Sequence, residues 1–90
     1  MQFLEEDRRL YLEENGEAYA EITWSNAGDS VMIVDHTFVA DSHRGEGLAG
    51  KLVAAVADKA RADNKKIIPL CPFAKKEFER KEQYADVWKK

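Results

Sequence analysis

The hydrophobic period of this chain changes near residue 40, and that change leaves few folds open. Upstream, Arg8-Arg9-Leu10-Tyr11-Leu12-Glu13-Glu14 and Glu17-Ala18-Tyr19-Ala20-Glu21-Ile22-Thr23-Trp24 alternate polar and apolar side chains, the period of a half-buried strand. Asn15-Gly16 between them is a tight-turn dipeptide, so the two runs read as a hairpin. Ser25-Asn26-Ala27-Gly28-Asp29 reads as a second turn. Ser30 to Val39 follows as a third strand; its Val31-Met32-Ile33-Val34 is apolar in every position, which predicts a central strand covered on both faces. After the loop from Ala40 to Gly45 the period becomes helical. From about Glu46 to Asn64, Leu48, Leu52 and Val56 fall on one stripe with Ala49, Val53, Ala57 and Ala60 beside them. Lys66-Ile67-Ile68-Pro69-Leu70 is a short fourth strand, joined to the third through a helix and therefore parallel to it. Pro72 suits the first position of a second helix, roughly 72–82, with Cys71 as its N-cap residue. The tail from Gln83 to Lys90 either docks through Tyr84, Val87 and Trp88 or frays. The expected fold class is α+β with a mixed sheet: antiparallel strands, then a β-α-β crossover and a C-terminal helix, in a single domain over residues 1–90.

Size and charge narrow the function. Ninety residues make one domain with a thin core. That is too few for a six-stranded dinucleotide-binding fold or a complete nucleotide triphosphatase. The longest apolar run, Leu52 to Ala57, is far short of the ~18 residues of a membrane helix. The N-terminus carries Glu5-Glu6-Asp7 where a signal peptide would be basic. With one cysteine, Cys71, no internal disulfide forms, and a reducing cytoplasm is the expected setting. Cys71, His36 and His43 show no paired-ligand spacing, so no metal is expected. Net charge is −3, split as eight acids against two bases in residues 1–30 and nine against twelve in 31–90. The later part thus suits an anionic ligand, while the overall acidity argues against general nucleic-acid binding.

The loop at the period change carries the chemistry. Residues 44–51 read Arg-Gly-Glu-Gly-Leu-Ala-Gly-Lys. Gly45-x-Gly47-x-x-Gly50 spells a dinucleotide fingerprint, but several loop residues separate it from its strand and only one parallel crossover is available. Gly45-x-x-x-x-Gly50-Lys51 nearly spells a P-loop, but Leu52 stands where a Ser or Thr must hold magnesium. The third pattern, Arg44-x-x-Gly47-x-Ala49, resembles the acetyl-coenzyme A signature of the GNAT superfamily of N-acetyltransferases. The order of hairpin, strand, loop, helix and parallel strand resembles that family too. Its physics is direct: glycines let backbone approach a diphosphate, and free N–H groups at a helix start bind anions. His36-Thr37, Pro69-Leu70-Cys71-Pro72-Phe73 and Glu82-Gln83-Tyr84-Ala85-Asp86 resemble a small stand-alone, YjdJ-like type within the superfamily, a match running from about residue 8 to 88.

The resemblance implies a GNAT-like core that moves an acetyl group from acetyl-coenzyme A to an amine. On this reading His43, Arg44, Gly45, Glu46, Gly47, Leu48 and Ala49 form the cofactor-binding loop: Gly45 and Gly47 let the backbone approach the diphosphate, His43 and Arg44 flank it with donors, and Leu48 anchors the helix to the sheet. Phe38 and Val39 offer backbone groups to the pantetheine arm, with Pro69 a local reason for the neighbouring strand to diverge, and Phe73 joins the cofactor set. The resemblance places Cys71 near the acetyl group. There a thiolate favoured by the helix start could act as nucleophile, base or proton donor; otherwise it is an inert buried thiol. His36 is either a general base or a histidine bonded within the sheet. Glu21 and Thr23 share one strand face and could orient an amine or a water. Tyr84, Trp24 and Trp88 read first as packing, and Lys75 and Lys76 as a solvated helix face. Measured against larger members, the chain is without a substrate-covering helix pair and the last strands, leaving an acceptor site open to a protein or peptide amine. A monomer or weak homodimer is expected. The competing reading is a non-catalytic acyl-coenzyme A binding or sensing module on the same fold; a structural domain with no ligand is a third.

Overall fold

A computed structural model describes residues 3–90. Five strands form one sheet in chain order: β1 (Leu4–Glu6), β2 (Arg9–Glu14), β3 (Glu17–Ala27), β4 (Val31–Val39) and β5 (Lys66–Pro69). The first four pair antiparallel, and β5 lies parallel to β4 after the crossover helix α1 (Leu48–Ala62). A second helix, α2 (Pro72–Arg80), and a 3₁₀ turn (Glu82–Val87) complete the order. The mixed α+β sheet with its single crossover is thus the architecture that the change of period predicts.

Both helices lie on one face. Leu10, Leu12, Ala20, Ile22, Trp24, Met32, Val34 and Ile67 point towards them and are buried. Helix α1 packs across β2, β3, β4 and β5 through Leu48, Leu52, Val53, Val56, Ala57 and Ala60, and α2 packs beside it. The expectation that β4 is covered on both sides is corrected here. Met32 and Val34 are wholly buried, but Val31 and Ile33 are only half-buried, because among the described residues no helix covers the opposite face. Four neighbouring apolar residues do not distinguish a sandwiched strand from one whose outer face keeps β-branched residues for strand propensity alone.

Local chemistry sets the other departures from the sequence reading. Strand β3 runs through Ser25, Asn26 and Ala27, and the turn forms at Gly28, whose φ is +72°. Helix α1 starts two residues late because Gly47 takes the left-handed conformation, φ +73°, at the N-cap. It ends early because Asn64, φ +56°, closes it: Lys65 N–H reaches Ala60 O at 2.8 Å and Asn64 N–H reaches Arg61 O at 3.2 Å, the paired bonds of a Schellman motif. Cys71 is the N-cap of α2, with Pro72 behind it, as read from the sequence. Strand β1 escaped notice because three residues are too short to show alternation.

The tail docks rather than frays. Tyr84 and Val87 are buried, and Tyr84 stacks on Phe78 at 5.0 Å between ring centroids. Trp88 bridges Ile67 in parallel, and Lys89 N–H bonds Ile67 O at 2.8 Å, so the tail lines the outer edge of β5. Arg61 reaches from α1 to the Asp86 carboxylate at 2.7 Å, which raises the pKa of the guanidinium and lowers that of the carboxyl.

Truncating a buried aromatic leaves a cavity worth about 3 kcal/mol. Tyr84→Ala is therefore expected to lower stability by about that amount in urea denaturation. Leu70→Ala, at a side chain two-thirds exposed, should change it by less than about 0.5 kcal/mol.

Candidate active site

The pairing of β4 with β5 stops short. Its last partners are Val34 and Pro69, and the Val34 carbonyl then accepts from both Leu70 N–H and Cys71 N–H, each at 3.0 Å. Pro69 has no N–H to give, and the chain enters α2 three residues later, at Pro72. From Asp35 onward no strand among the described residues pairs with β4 on that side. On its other side β4 stays paired with β3, and Ala40 N–H donates to Tyr19 O at 2.8 Å. Antiparallel pairing alternates bonded and non-bonded residues, so the phase set by Ala40 turns the backbone of Thr37 and Val39 towards the open side and that of Phe38 towards β3.

Helix α1 begins beside this opening. Its first internal bond runs from Lys51 N–H to Gly47 O at 3.2 Å, so the amides of Leu48, Ala49 and Gly50 have no acceptor within the helix. A cavity of about 360 Å3 lies between this helix start, the open stretch of β4 and the start of α2. It is lined by Thr37, Val39, His43, Arg44, Gly45, Gly47, Leu48, Ala49, Gly50 and Phe73. Orphan amides, a positive helix end and the Arg44 guanidinium make this an anion-binding mouth, while Val39, Leu48 and Phe73 give it an apolar wall.

Most of the residues singled out in the sequence meet here. Leu48 is buried and anchors the helix start. His43 stacks on Tyr19 at 4.0 Å, with Nδ1 3.3 Å from Glu46 Oε2 and Nε2 3.7 Å from Glu14 Oε1. Arg44 is exposed and pairs with Asp41, 2.9 Å from Nε. Glu46 touches the site through His43 rather than lining it. Phe38 does not line the cavity, and the alternation along β4 turns its half-exposed ring to the face away from the helices. Lys75 and Lys76 are exposed on α2, Trp24 is buried, and Trp88 packs edge-on against Phe78.

Cys71 sits at the apex of the opening, largely buried, with Sγ donating to Thr37 Oγ1 at 3.4 Å. Burial pushes its pKa up. The Thr37 hydroxyl and the N–H groups of Ala74, Phe73 and Thr37 outweigh that, because all four donate to a thiolate, and the thiol lies below its ordinary value. His36 is elsewhere. It pairs with Thr23, is exposed on the face away from the helices, and has Nε2 3.9 Å from Glu21 Oε2. The two candidate catalytic residues thus lie on opposite faces of the sheet. Thr37 and Gly50 are the residues that sequence reading did not assign to the site. Strict alternation from the exposed His36 would have turned Thr37 inward. Among the described residues no group of three His, Cys, Asp or Glu side chains could hold a metal ion, and no helix is long and apolar enough to cross a membrane.

A mixed sheet whose parallel pair separates over a glycine-led helix start defines a small α+β domain with an anion-accepting cleft. Residues 9–87 match the GCN5-related N-acetyl-transferase family, and the chain belongs to it. Members of that family transfer acyl groups from acetyl-coenzyme A. The chain is similar to a GCN5-like protein from Staphylococcus aureus, with 35% identity over 98% of this chain and 87% of that one, at a TM-score of 0.82. It is also similar to the ribosomal-protein-alanine N-acetyltransferase of Brucella melitensis biovar Abortus 2308, with 27% identity, 80% and 60% coverage and a TM-score of 0.61. It shares its fold with N-acetylglutamate synthase from Neisseria gonorrhoeae complexed with coenzyme A and N-acetyl-glutamate. That match has 19% identity, covers 81% of this chain and 18% of the synthase, and has a TM-score of 0.61.

Thr37→Val removes the largest single donor to the sulfur. The Cys71 pKa, read by the ultraviolet absorbance of the thiolate, is expected to rise. The linked stability has a definite sign. A thiol whose native pKa is depressed adds stability that is fully present above the unfolded pKa and lost as pH falls through the native value. Wild type should therefore gain on Thr37→Val in denaturation between those two values as pH rises, and show no such gain below them.

Proposed function

We propose that this protein is an N-acetyltransferase that carries the acetyl group of acetyl-coenzyme A to an amine on a protein or peptide. The observation that carries the reading is the cavity at the split between β4 and β5, where Gly47 in left-handed conformation opens the first amides of α1 to an anion. The cofactor's diphosphate would rest on these amides beside Gly45, with Arg44 and His43 adding donors. The pantetheine arm would follow the open backbone of Val39 and Thr37, as an added strand follows a sheet edge. Leu48, Val39 and Phe73 would exclude water along it. The thioester would then lie at the apex, beside Cys71.

Transfer needs a neutral amine, attack on the thioester carbon, and loss of the coenzyme thiolate with one proton. The C–N bond forms as the C–S bond breaks. His36 takes the proton of the acceptor ammonium. Cys71, hydrogen-bonded to Thr37, serves the leaving thiolate or the acetyl group. Direct transfer is the simpler course, because a covalent acetyl-cysteine demands a second geometry for its own release. Exposed Leu70 and Phe73 border the opening, a feature that suits a peptide chain over an enclosed small molecule. The similar Brucella melitensis enzyme is named for an alanine of a ribosomal protein, which favours the same class of acceptor.

Calorimetry with coenzyme A, then a thiol-release assay with acetyl-coenzyme A and candidate peptides, tests this. Gly47→Val strains a backbone with φ +73° and is expected to weaken coenzyme A binding about tenfold, with an accompanying stability cost of about 1 kcal/mol. Cys71→Ala and His36→Ala should keep that binding but lower turnover about 100-fold, the scale of a lost acid or base. Full activity in both variants would remove the catalytic roles; binding without any turnover would make the protein an acyl-coenzyme A sensor.

A further inference from the structure

Strand β4 contains a bulge, and the bulge changes what the open face of the sheet presents. Thr23 pairs with His36 while Trp24 pairs with Val34, so Asp35 is the extra residue. In a regular strand Asp35 and His36 would point to opposite faces. At a bulge two consecutive residues oppose one on the partner strand, and side chains are re-aimed. Here both serve the face away from the helices. Asp35 Oδ1 accepts from Thr23 Oγ1 at 2.7 Å and Oδ2 from Ser25 Oγ at 2.9 Å. Thr23 stands between buried Ile22 and Trp24, which fixes it on that outer face.

The charges around this carboxylate are uneven. Glu21 is held by Arg9 at 2.8 Å and lies near His36, and Arg9 also pairs with Glu6. Arg9 is further committed to the Tyr11 ring, 3.9 Å away. Among the described residues no ion pair includes Asp35. Two hydroxyls thus hold an exposed carboxylate in fixed orientation without neutralising it. It directly follows Val34, whose carbonyl marks the apex of the split.

We infer that Asp35 is a positioning residue for the acceptor: it holds an ammonium group of a lysine-rich peptide on the open sheet face, beside His36. The inference rests on the acetyltransferase reading for its chemistry, and on the bulge and charge complementarity for its place. An amine acceptor arrives as a cation and must give up a proton before it attacks. A carboxylate concentrates cations at the apex, and the neighbouring imidazole receives the proton. The donor enters from the helix side and the acceptor from the outer side, so neither blocks the other. The half-buried Ile33 and Ile68 and the exposed Leu70 lie beside the same opening and would carry the peptide's apolar atoms.

The test is a nuclear magnetic resonance titration of the labelled protein, with and without coenzyme A, using a short lysine-rich peptide with a free α-amine. Amide shifts are expected at Thr23, Ser25, Asp35 and His36, weakening with added salt. Asp35→Asn should lower affinity about fivefold, the scale of one exposed ion pair, while Glu79→Gln on α2 should leave it unchanged. In turnover, Asp35→Asn should raise KM for the peptide about fivefold with little change in kcat. Coenzyme A affinity should not move. Absence of peptide binding, shifts confined to the helix face, equal affinity for a neutral peptide, or an unchanged Asp35→Asn variant each overturn the inference. Equal binding of a simple diamine overturns the peptide part. Failure of coenzyme A to bind is a separate result and overturns the acetyltransferase reading instead.

Discussion

One carbonyl group organises the functional half of this molecule. Val34 O receives two amides, from Leu70 and Cys71, and the β4–β5 ladder goes no further. A parallel ladder that continued would occupy the backbone of Thr37 and Val39 and close the space over the start of α1. Because it stops, β4 keeps one side paired to β3 and the other open. Cys71 is brought to the Thr37 hydroxyl at the same point. The cavity, the depressed thiol and the exposed backbone are three results of one early termination. Pro69 contributes by withholding a donor, and Pro72 by starting the next helix at once.

The sheet also separates the two halves of the chemistry. On the helix face lie the orphan amides of α1, Arg44, His43 and the apolar wall. On the other lie Glu21, Thr23, Ser25, Asp35 and His36, joined by hydroxyl–carboxylate bonds and an Arg9–Glu21 pair. The described residues form one core, and the cavity lies at the edge of its sheet. A divided sheet offers two separate approaches, one from each face, joined at the split. The bulge at Asp35 adds to this, because it puts a second polar side chain on the face away from the helices without lengthening the strand.

The fold was legible where a period was long enough to read. Alternation in Arg9–Glu14 and Glu17–Trp24, the Asn15-Gly16 turn and the stripe Leu48-Leu52-Val56 all correspond to elements in the structure. The glycine loop was legible as the turn into α1 because Gly47 does what only glycine does cheaply: it takes φ +73° at a helix start. Less legible was anything that depends on long-range register. Whether Phe38 or Thr37 turns to the opening depends on the bulge at Asp35, which the apolar pattern of Val31-Met32-Ile33-Val34 does not announce. The same bulge sends His36 to the face away from the helices, opposite Cys71. Strand β1 and the half-covered outer side of β4 were missed for a different reason. Three residues carry no period, and β-branched residues favour strands whether or not anything covers them.

The outer margins of the sheet have a consequence of their own. An unpaired strand edge recruits other strands, and proteins that leave such margins long and apolar associate into fibres. Here one margin is β1, three residues that include Glu5 and Glu6. The other, β5, is overlaid by Trp88 and Lys89, whose amide already occupies Ile67 O. Beyond the reach of β1, the outer side of β2 at residues 12–14 has no strand partner among the described residues, and Glu13 and Glu14 place charge there. Charged or covered margins discourage pairing with another chain, while the free backbone at Val39 lies inside the sheet, where a small ligand has easier access than a second strand.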